Sequence, residues 1–538
     1  MNIREYYENK LEKLEHIDVR KEERVTRDET REIKNIYIIG ICGTAMGSLA
    51  GLLRQAGYEV FGYDEGAYPP ISTMLKDIRI TIDTNCDAKT QKKIQSSDIV
   101  VVGNAIGPMH EVVEYARSIH KPLVSLPEVL DTCVFKKRKR IVIAGTHGKT
   151  TTTGIVTSIF NEAEKVGEIV NPGYLIGGVM QGKTTGFDLG TVANEGYFII
   201  EGDEYDTSYF DKRPKFLTYE GDGGIITSIE LDHLDIYTDL KDYEKAFQFF
   251  IESLPKEGTT LIANHPDVSR VADRALQDQG GVKQATHILT YAVREEDIKE
   301  NSEEIADVYL RDIVQENGTQ KGSFVYKGKN VGEIQTKMSG RHNLMNVAGA
   351  AGLAYSYGIS FDSIAKGIKN FSGMKRRQEV VYDGYATLID DFAHHPTAVE
   401  ETIAGIKKLY QGRRLIVLFE PRSNSSRRKI FQDPYIAALK DVECVIIKQP
   451  AVRHNDIADN YIDVKQMVKD LTREGANHPS ENMQEISKAY STADTQETID
   501  VVEKNLKKDD VILMMSNGSL DGIRESLNVL LLQYEKTQ

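Results

Sequence analysis

The chain has 538 residues and a formal charge of −14, with 40% apolar and 28% charged side chains. Its length allows three domains of ordinary size, and its balance is that of a soluble folded protein rather than a disordered or membrane one. The excess of acid speaks against a nucleic-acid partner, whose affinity rests on clustered Lys and Arg, and no run approaches the roughly 18 apolar residues of a spanning helix, so membrane insertion is not expected.

Residues 1–34 read as a charged N-terminal extension without the apolar run of a signal-peptide core. Leu11, Leu14 and Ile17 stand at helical spacing and predict a surface or capping helix. Cys42, Cys86, Cys133 and Cys444 lie far apart with no C-x-x-C pair. That pattern fits a reducing cytoplasm better than a disulfide scaffold or a zinc knuckle.

From Asn35 the text "NIYIIGICGTAMGSLAGLLRQAGYEVFGYDE" reads as strand, glycine turn, helix and strand, a βαβ opening. Gly40, Gly43 and Gly47 are spaced G-x-x-G-x-x-x-G. Such a turn suits a pyrophosphate at a helix N-terminus, and equally a tight structural turn. Asp64 closes the second strand, where a dinucleotide fold reads ribose. Further strands are predicted at Asp98–Ala105 and Lys121–Leu126, and the first domain, 35–137, is expected to end at the basic cluster Lys136–Arg140.

A second α/β unit, 138–374, opens with "RIVIAGTHGKTTTTGIVTSIF". Strand, "AGTHGKTT" and helix form the context of a phosphate-binding loop. Ile143 stands where the usual motif has its first glycine, so the loop is shorter or differently shaped. Lys149 would contact β- and γ-phosphate oxygens, and the hydroxyl of Thr150 or Thr151 would ligate Mg²⁺. Two later strands end in "EGDEYD" and "ELDHLDIY", presenting Glu201 and His233 as candidate metal ligands at strand ends. "GSFVYKGKNVGEIQTKMSG" predicts a hairpin turning at Lys327–Asn330, and "RHNLMNVAGAAGLAYSYGI" a helix. The polar stretches Arg294–Gln320 and Thr472–Thr495 read as loop or exposed helix.

Near Met374 a third α/β unit, 375–538, begins. "DDFAHHPTAVEE" sets adjacent histidines before a helix with Pro396 near its first position. Neighbouring imidazoles project in different directions with no third ligand at hand, so a zinc centre is the weaker reading. "EPRSNSSRRK" places Arg422, Arg427 and Arg428 after a strand, which suits carboxylate or phosphate capture as well as a solvated basic loop. The fold class expected is α/β, in three consecutive domains: a Rossmann-like N-terminal domain, a central P-loop ATPase domain and a Rossmann-like C-terminal domain.

"AGTHGKTTTTG", "EGDEYD", "ELDHLDIY", "GRHNLMN" and "DDFAHHPT", in this order across three α/β units, resemble the Mur ligases, ATP-dependent amide-forming enzymes of bacterial cell-wall synthesis. Within that family "GICGTAMG", "YPPISTML", "FDKRPKF", "FEPRSNS" and "MSNG" resemble the branch that recycles cell-wall peptide. That branch joins UDP-N-acetylmuramate to the murein tripeptide L-alanyl-γ-D-glutamyl-meso-diaminopimelate. The branch that adds free L-alanine is expected to carry a "PHRYTR"-like stretch where Glu420 to Ser425 stand here.

The resemblance implies ATP and Mg²⁺ as cofactors and assigns roles by position. Gly40, Gly43, Thr44, Met46, Gly47, Asp64 and Asn104 would hold the UDP-sugar. Gly145, Thr146, His147, Gly148, Lys149, Thr150 and Thr151 would hold ATP phosphates, with Thr150, Glu201 and His233 around the metal. His342, Asn343 and Asn346 map to the adenine site, Arg377 to the ATP phosphates and Asp391 to ribose. His394 and His395 would face the acceptor, either of them a candidate base, while Arg422, Ser423 and Asn424 would hold the peptide. Several siblings carry a carbamylated lysine about fifteen residues after the metal histidine; Gln248 has that spacing here, and no carbamate is expected.

A monomer or weak dimer is anticipated. The competing readings are an L-alanine ligase, a glutamate-adding ligase acting on folate, and a nucleotide-binding regulator that makes no bond.

Overall fold

The computed structural model describes residues 32–67, 71–191, 195–233, 236–277, 287–294, 306–316, 319–423, 425–450, 460–477 and 488–536. The helix predicted around Leu11 to Ile17 lies outside the described residues, as does the candidate peptide contact Asn424. No described helix is long and apolar enough to cross a membrane.

Strands β1 (Asn35–Ile39), β2 (Glu59–Tyr63), β3 (Thr81–Asp83), β4 (Ile99–Val102) and β5 (Leu123–Val124) form a parallel sheet in the order β3-β2-β1-β4-β5. The order switches between β1 and β4, and helix α1 (Thr44–Gln55) starts beyond the end of β1. Open α/β sheets take their ligands at such a switch point.

The central sheet contains β6 (Lys139–Ala144), β7 (Gly173–Leu175), β8 (Phe187–Asp188), β9 (Tyr197–Gly202), β12 (Gly223–Ile226), β13 (Thr259–Ala263), β14 (His287–Val293), β15 (Val308–Glu316), β16 (Thr319–Tyr326) and β17 (Lys329–Thr336). A separate hairpin pairs β10 (Asp206–Ser208) with β11 (Asp211–Pro214). Among the described residues the sheet order is β17-β16-β15-β14-β13-β12-β6-β9-β7-β8. β6 lies between its parallel neighbours β12 and β9, with Ala144 level with Ile226 on one side and Gly202 on the other. That register brings the loops after β6, β9 and β12 to one edge. Ile143 is fully buried within β6, so the phosphate loop is short because the strand runs on through the position of the missing glycine.

The C-terminal sheet contains β18 (Glu379–Asp383), β19 (Thr387–Asp391), β20 (Leu415–Glu420), β21 (Cys444–Lys448), β22 (Lys488–Thr492) and β23 (Val511–Ser516), in the order β18-β19-β23-β20-β21-β22. All but the antiparallel edge strand β18 are parallel. Alternate residues of the central strands feed two cores, Leu513 and Met515 into one and Ile512 and Met514 into the other. Coverage on both faces is why these strands read as unbroken apolar runs.

Two expectations are corrected. The stretch Arg294–Gln320 contains β15, which pairs antiparallel with β16 and buries Val308 and Leu310. Its apolar positions are separated by charges, which weakens the signal. Thr472–Thr495 contains the end of a helix, Val464–Asn477, and the edge strand β22, whose polar sequence has a single parallel neighbour.

One apolar core runs without a break from α1 and the N-terminal sheet into the central sheet, joining Leu49 and Leu53 to Ile176 and Phe187. Gln55 Oε1 also accepts the Leu189 amide at 2.9 Å. Gly51 permits this seam, because a Cβ there would come within 1.9 Å of the Phe187 ring. A side chain at Gly51 gains at most about 1 kcal/mol of helix propensity, less than the overpacking cost. Gly51→Val is therefore expected to lower the unfolding free energy by about 1–3 kcal/mol in urea titrations. Unchanged stability would show that α1 does not rest on β8.

Candidate active site

The loop after β6 is shaped by two glycines in left-handed or extended positive backbone, Gly145 at φ 133° and Gly148 at φ 82°. At Gly145 a Cβ would approach Thr227 Oγ1 to 2.1 Å, and at Gly148 it would approach Asn346 Oδ1 to 2.6 Å. The segment after β12 pins the loop: the Thr146 amide donates to Ser228 O at 3.0 Å and the His147 amide to Ser228 Oγ at 2.9 Å. Thr227 Oγ1 donates to His147 O, and Thr146 Oγ1 lies 2.8 Å from the Tyr243 hydroxyl on helix α3 (Leu240–Ser253). Helix α2 (Lys149–Lys165) then starts with no side-chain cap. Its first amides are left open, as an anion site requires.

Lys149 Nζ is held by Gly145 O at 2.6 Å, Thr146 O at 3.2 Å and Glu204 Oε2 at 2.8 Å. Burial pulls its pKa down, but the carboxylates of Glu204, Asp203 and Glu201 outweigh it and hold the ammonium above the ordinary lysine value. Thr150 Oγ1, and not Thr151, reaches Glu201, donating to Oε1 at 2.8 Å while the Gly177 amide donates to Oε2 at 2.8 Å. Burial and the charge of Asp203 push Glu201 upward, with Lys149 opposing. Thr150 and Glu201 thus converge as hard oxygen donors beside an ammonium group, a set that fits Mg²⁺ bound with phosphate.

His233 stands elsewhere. Its Nε2 lies 3.2 Å from Glu204 Oε1, so Glu204 bridges Lys149 and His233. Burial lowers His233, yet Glu204 and then Asp232 raise its pKa to about 9. Metal ligation by His233 requires the ring to lose a proton, either from Nδ1 with the Glu204 contact kept or from Nε2 with that contact opened. Sequence reasoning missed Glu204, although it lies in "EGDEYD"; a second glutamate three residues after Glu201 is the available signal. Gln248 is engaged on α3 with Lys245 at 3.1 Å and Glu252 at 2.7 Å.

In the N-terminal domain Gly40 adopts φ 78°, and Gly43 caps α1 with no side-chain bond. Gly43, Thr44 and Asn104 are exposed at the strand ends, whereas Met46 is buried in the core. Gly47 lets α1 pack closely, since a Cβ would meet Ile71 at 2.4 Å. Asp64 receives the Cys42 amide at 2.8 Å and the Gly66 amide at 2.9 Å, so its carboxylate shapes the glycine turn.

Helix α4 (Arg341–Ser356) points its first turn at Gly148. Asn343 Nδ2 donates to Ser339 O at 2.7 Å, Asn346 lies against Asn343 at 3.5 Å, and His342 Nε2 lies 3.4 Å from Gln378 Nε2. Arg377 stacks on Phe392 at 4.7 Å. Burial lowers its pKa against the charges of Asp391 and Glu201. Asp391 accepts the Gln378 and Ala393 amides at 2.8 and 2.7 Å, which fixes the turn before the histidine pair.

His394 Nδ1 is 3.0 Å from Phe392 O. A carbonyl only accepts, so this nitrogen carries the proton and Nε2 keeps its lone pair. Burial lowers both His394 and His395 to about 4, leaving neutral rings at pH 7. His395 caps helix α5 (Pro396–Leu409) and faces Glu230. Arg422 is paired with Asp521 at 2.8 Å, and Ser423 with Ser426 at 2.8 Å.

Three family models match successive parts of the chain: the Mur ligase family catalytic domain at residues 35–137, the Mur ligase middle domain at 143–354 and the Mur ligase glutamate ligase domain at 376–518. The UDP-N-acetylmuramate–L-alanyl-γ-D-glutamyl-meso-2,6-diaminoheptandioate ligase of Haemophilus influenzae is 32% identical over 92% of this chain and 98% of its own length. A murein peptide ligase structure from Psychrobacter arcticus is 30% identical, with a TM-score of 0.65 over 93% of this chain and 98% of that one. The UDP-N-acetylmuramate-alanine ligase of Thermotoga maritima shares the fold, with a TM-score of 0.71 at 20% identity over 94% of this chain and all of that one. With all three domains matched and the relatives spanned almost end to end, the chain belongs to the Mur ligase family, ATP-dependent enzymes that use Mg²⁺ and form amide bonds.

Proposed function

We propose that the protein joins the lactyl carboxylate of UDP-N-acetylmuramate to the free α-amine of L-alanyl-γ-D-glutamyl-meso-diaminopimelate, in recycling of cell-wall peptide. The observation that carries the acceptor is the 32% identity, over 92% of the chain, to a ligase named for that peptide. In this reading 35–137 binds the UDP-sugar, 138–374 binds ATP and 375–538 receives the peptide, in the cytoplasm and as a monomer or weak dimer.

A carboxylate oxygen is a poor leaving group, so the acid needs activation before an amine can displace it. A lactyl oxygen attacks the γ-phosphorus of ATP, ADP departs, and the acyl phosphate so formed is attacked by the peptide amine with loss of phosphate. Lys149 and Arg377 stabilise the charge on the transferring phosphoryl group, work of positioning and electrostatics more than of covalent catalysis. Mg²⁺, held by Thr150 and Glu201, would neutralise phosphate charge when bound. Glu204 keeps Lys149 aimed and charged. His394 is arranged to take the amine proton at Nε2, its Nδ1 proton being tied to Phe392 O. Glu201 and Arg377 come from different domains, so their approach encloses the acyl phosphate against water.

Phosphate release from ATP with UDP-N-acetylmuramate is expected with the tripeptide and not with free L-alanine; turnover with L-alanine alone would overturn the acceptor. Lys149→Ala should lower turnover by on the order of 10²–10³-fold. In Glu204→Gln the buried His233 loses its nearest anion, so its pKa should fall from about 9 toward or below the ordinary 6.5 in histidine NMR titrations. A value still near 9 would assign the shift to Asp232.

A further inference from the structure

Three side chains from three segments meet where the phosphate loop faces the C-terminal domain: His147 in the loop, Glu230 after β12 and His395 at the start of α5. Glu230 Oε2 lies 3.6 Å from His147 Nε2 and 3.7 Å from His395 Nδ1. All three donor atoms fall within 4.8 Å of one another. Both separations are too long for hydrogen bonds, and both ring nitrogens are buried with no hydrogen-bond partner. Two orphaned nitrogens aimed at one carboxylate oxygen call for an occupant between them.

The surroundings hold these groups in place. The His147 backbone is fastened by Ser228 and Thr227. Thr397 Oγ1 donates to Glu230 Oε2 at 2.7 Å, and the His395 ring meets the Phe431 ring at a centroid distance of 5.0 Å and 73°. The two imidazoles lie 4.8 Å apart at 41°. Neutral His395 offers a lone pair, and Glu230 is anionic, because His147 and Thr397 offset its burial and hold it at about 2. Ligands about 2.0–2.1 Å from a tetrahedral ion stand roughly 3.4 Å apart, close to the 3.6 and 3.7 Å between Glu230 and the two ring nitrogens.

We propose that His147, Glu230 and His395 form a site for a borderline divalent transition metal of the zinc and cobalt class, distinct from the Thr150 and Glu201 oxygens. Two imidazoles and one carboxylate suit such an ion, whereas Mg²⁺ favours an all-oxygen shell. The ion bridges the P-loop to the first turn of α5 and so fastens the C-terminal domain onto the nucleotide domain. It also occupies His395 Nδ1, leaving His394 as the free base.

The test titrates Co²⁺ into the full-length protein in excess Mg²⁺ without nucleotide, reading visible ligand-field absorption and calorimetric stoichiometry. One equivalent with the intense bands of a four-coordinate ion is expected. His395→Ala and Glu230→Gln should each weaken binding at least about tenfold, while Glu201→Gln keeps it; circular dichroism verifies folding, and His147→Gln replaces either variant that fails to fold. Absence of a visible-band complex at millimolar Co²⁺ would overturn the site. Bands that survive His395→Ala and Glu230→Gln but vanish in Glu201→Gln would overturn it too, by placing the ion with the phosphate-site oxygens.

Discussion

A buried ammonium facing a buried carboxylate, Lys149 against Glu204, is the constraint on which the catalytic edge depends. Their side chains are 12% and 2% exposed. Either charge alone at that depth would be strongly unfavourable, and removing one partner of such a pair typically costs about 3–5 kcal/mol. The pair does something an apolar pair could not. It holds a cation against the carbonyls of Gly145 and Thr146 at the base of the loop, and through His233 it fixes the segment after β12 to the segment after β9. Three loops that the sheet register merely brings near one another become one electrostatic unit.

That unit lies at the edge of a sheet whose central strand must be invariant in position. β6 is flanked by β9 and β12 in parallel register, with no freedom to slip while its Ile141, Val142 and Ile143 are fully buried. Strand positions therefore fix the origins of the P-loop, Glu201 and Glu230 before any side chain chooses a rotamer. Tyr243 and Thr227 then set the loop's height above the edge.

Much of this was legible in the residues because strand ends announce themselves: apolar runs that stop abruptly at Gly, Glu or Asp gave β6, β9, β12, β19 and β20, and with them Lys149, Thr150 and Glu201. What could not be read was which polar group spends itself on the protein. Asp64 looks like a ribose reader from its place at a strand end, and Asp391 by the family resemblance, yet here each accepts two backbone amides. Arg422 looks like an open carboxylate clamp and is paired with Asp521, 99 residues away. Such pairings are set by contacts between distant segments, and local text carries no trace of them. β15 was obscured for a different reason, since its charged positions break the apolar alternation that a strand would show.

The cores say how the three domains can move. α1 and the N-terminal sheet share a continuous apolar core with the central domain, and among the described residues that core ends at Met374. The C-terminal domain keeps its own two cores, and several of its contacts with the nucleotide domain are polar: Thr397 with Glu230, Ser425 with Asp232, and the charge of Arg377 toward Glu201. A shared apolar core resists separation, whereas a polar seam can part and be rehydrated at little cost. The link between them carries Arg376 and Gln378 at φ 58° and 51°, left-handed backbone that stores strain beside a functional cleft. The N-terminal and central domains should therefore travel as one body, to which the C-terminal domain is joined through the Met374–Gln378 link and a largely polar seam.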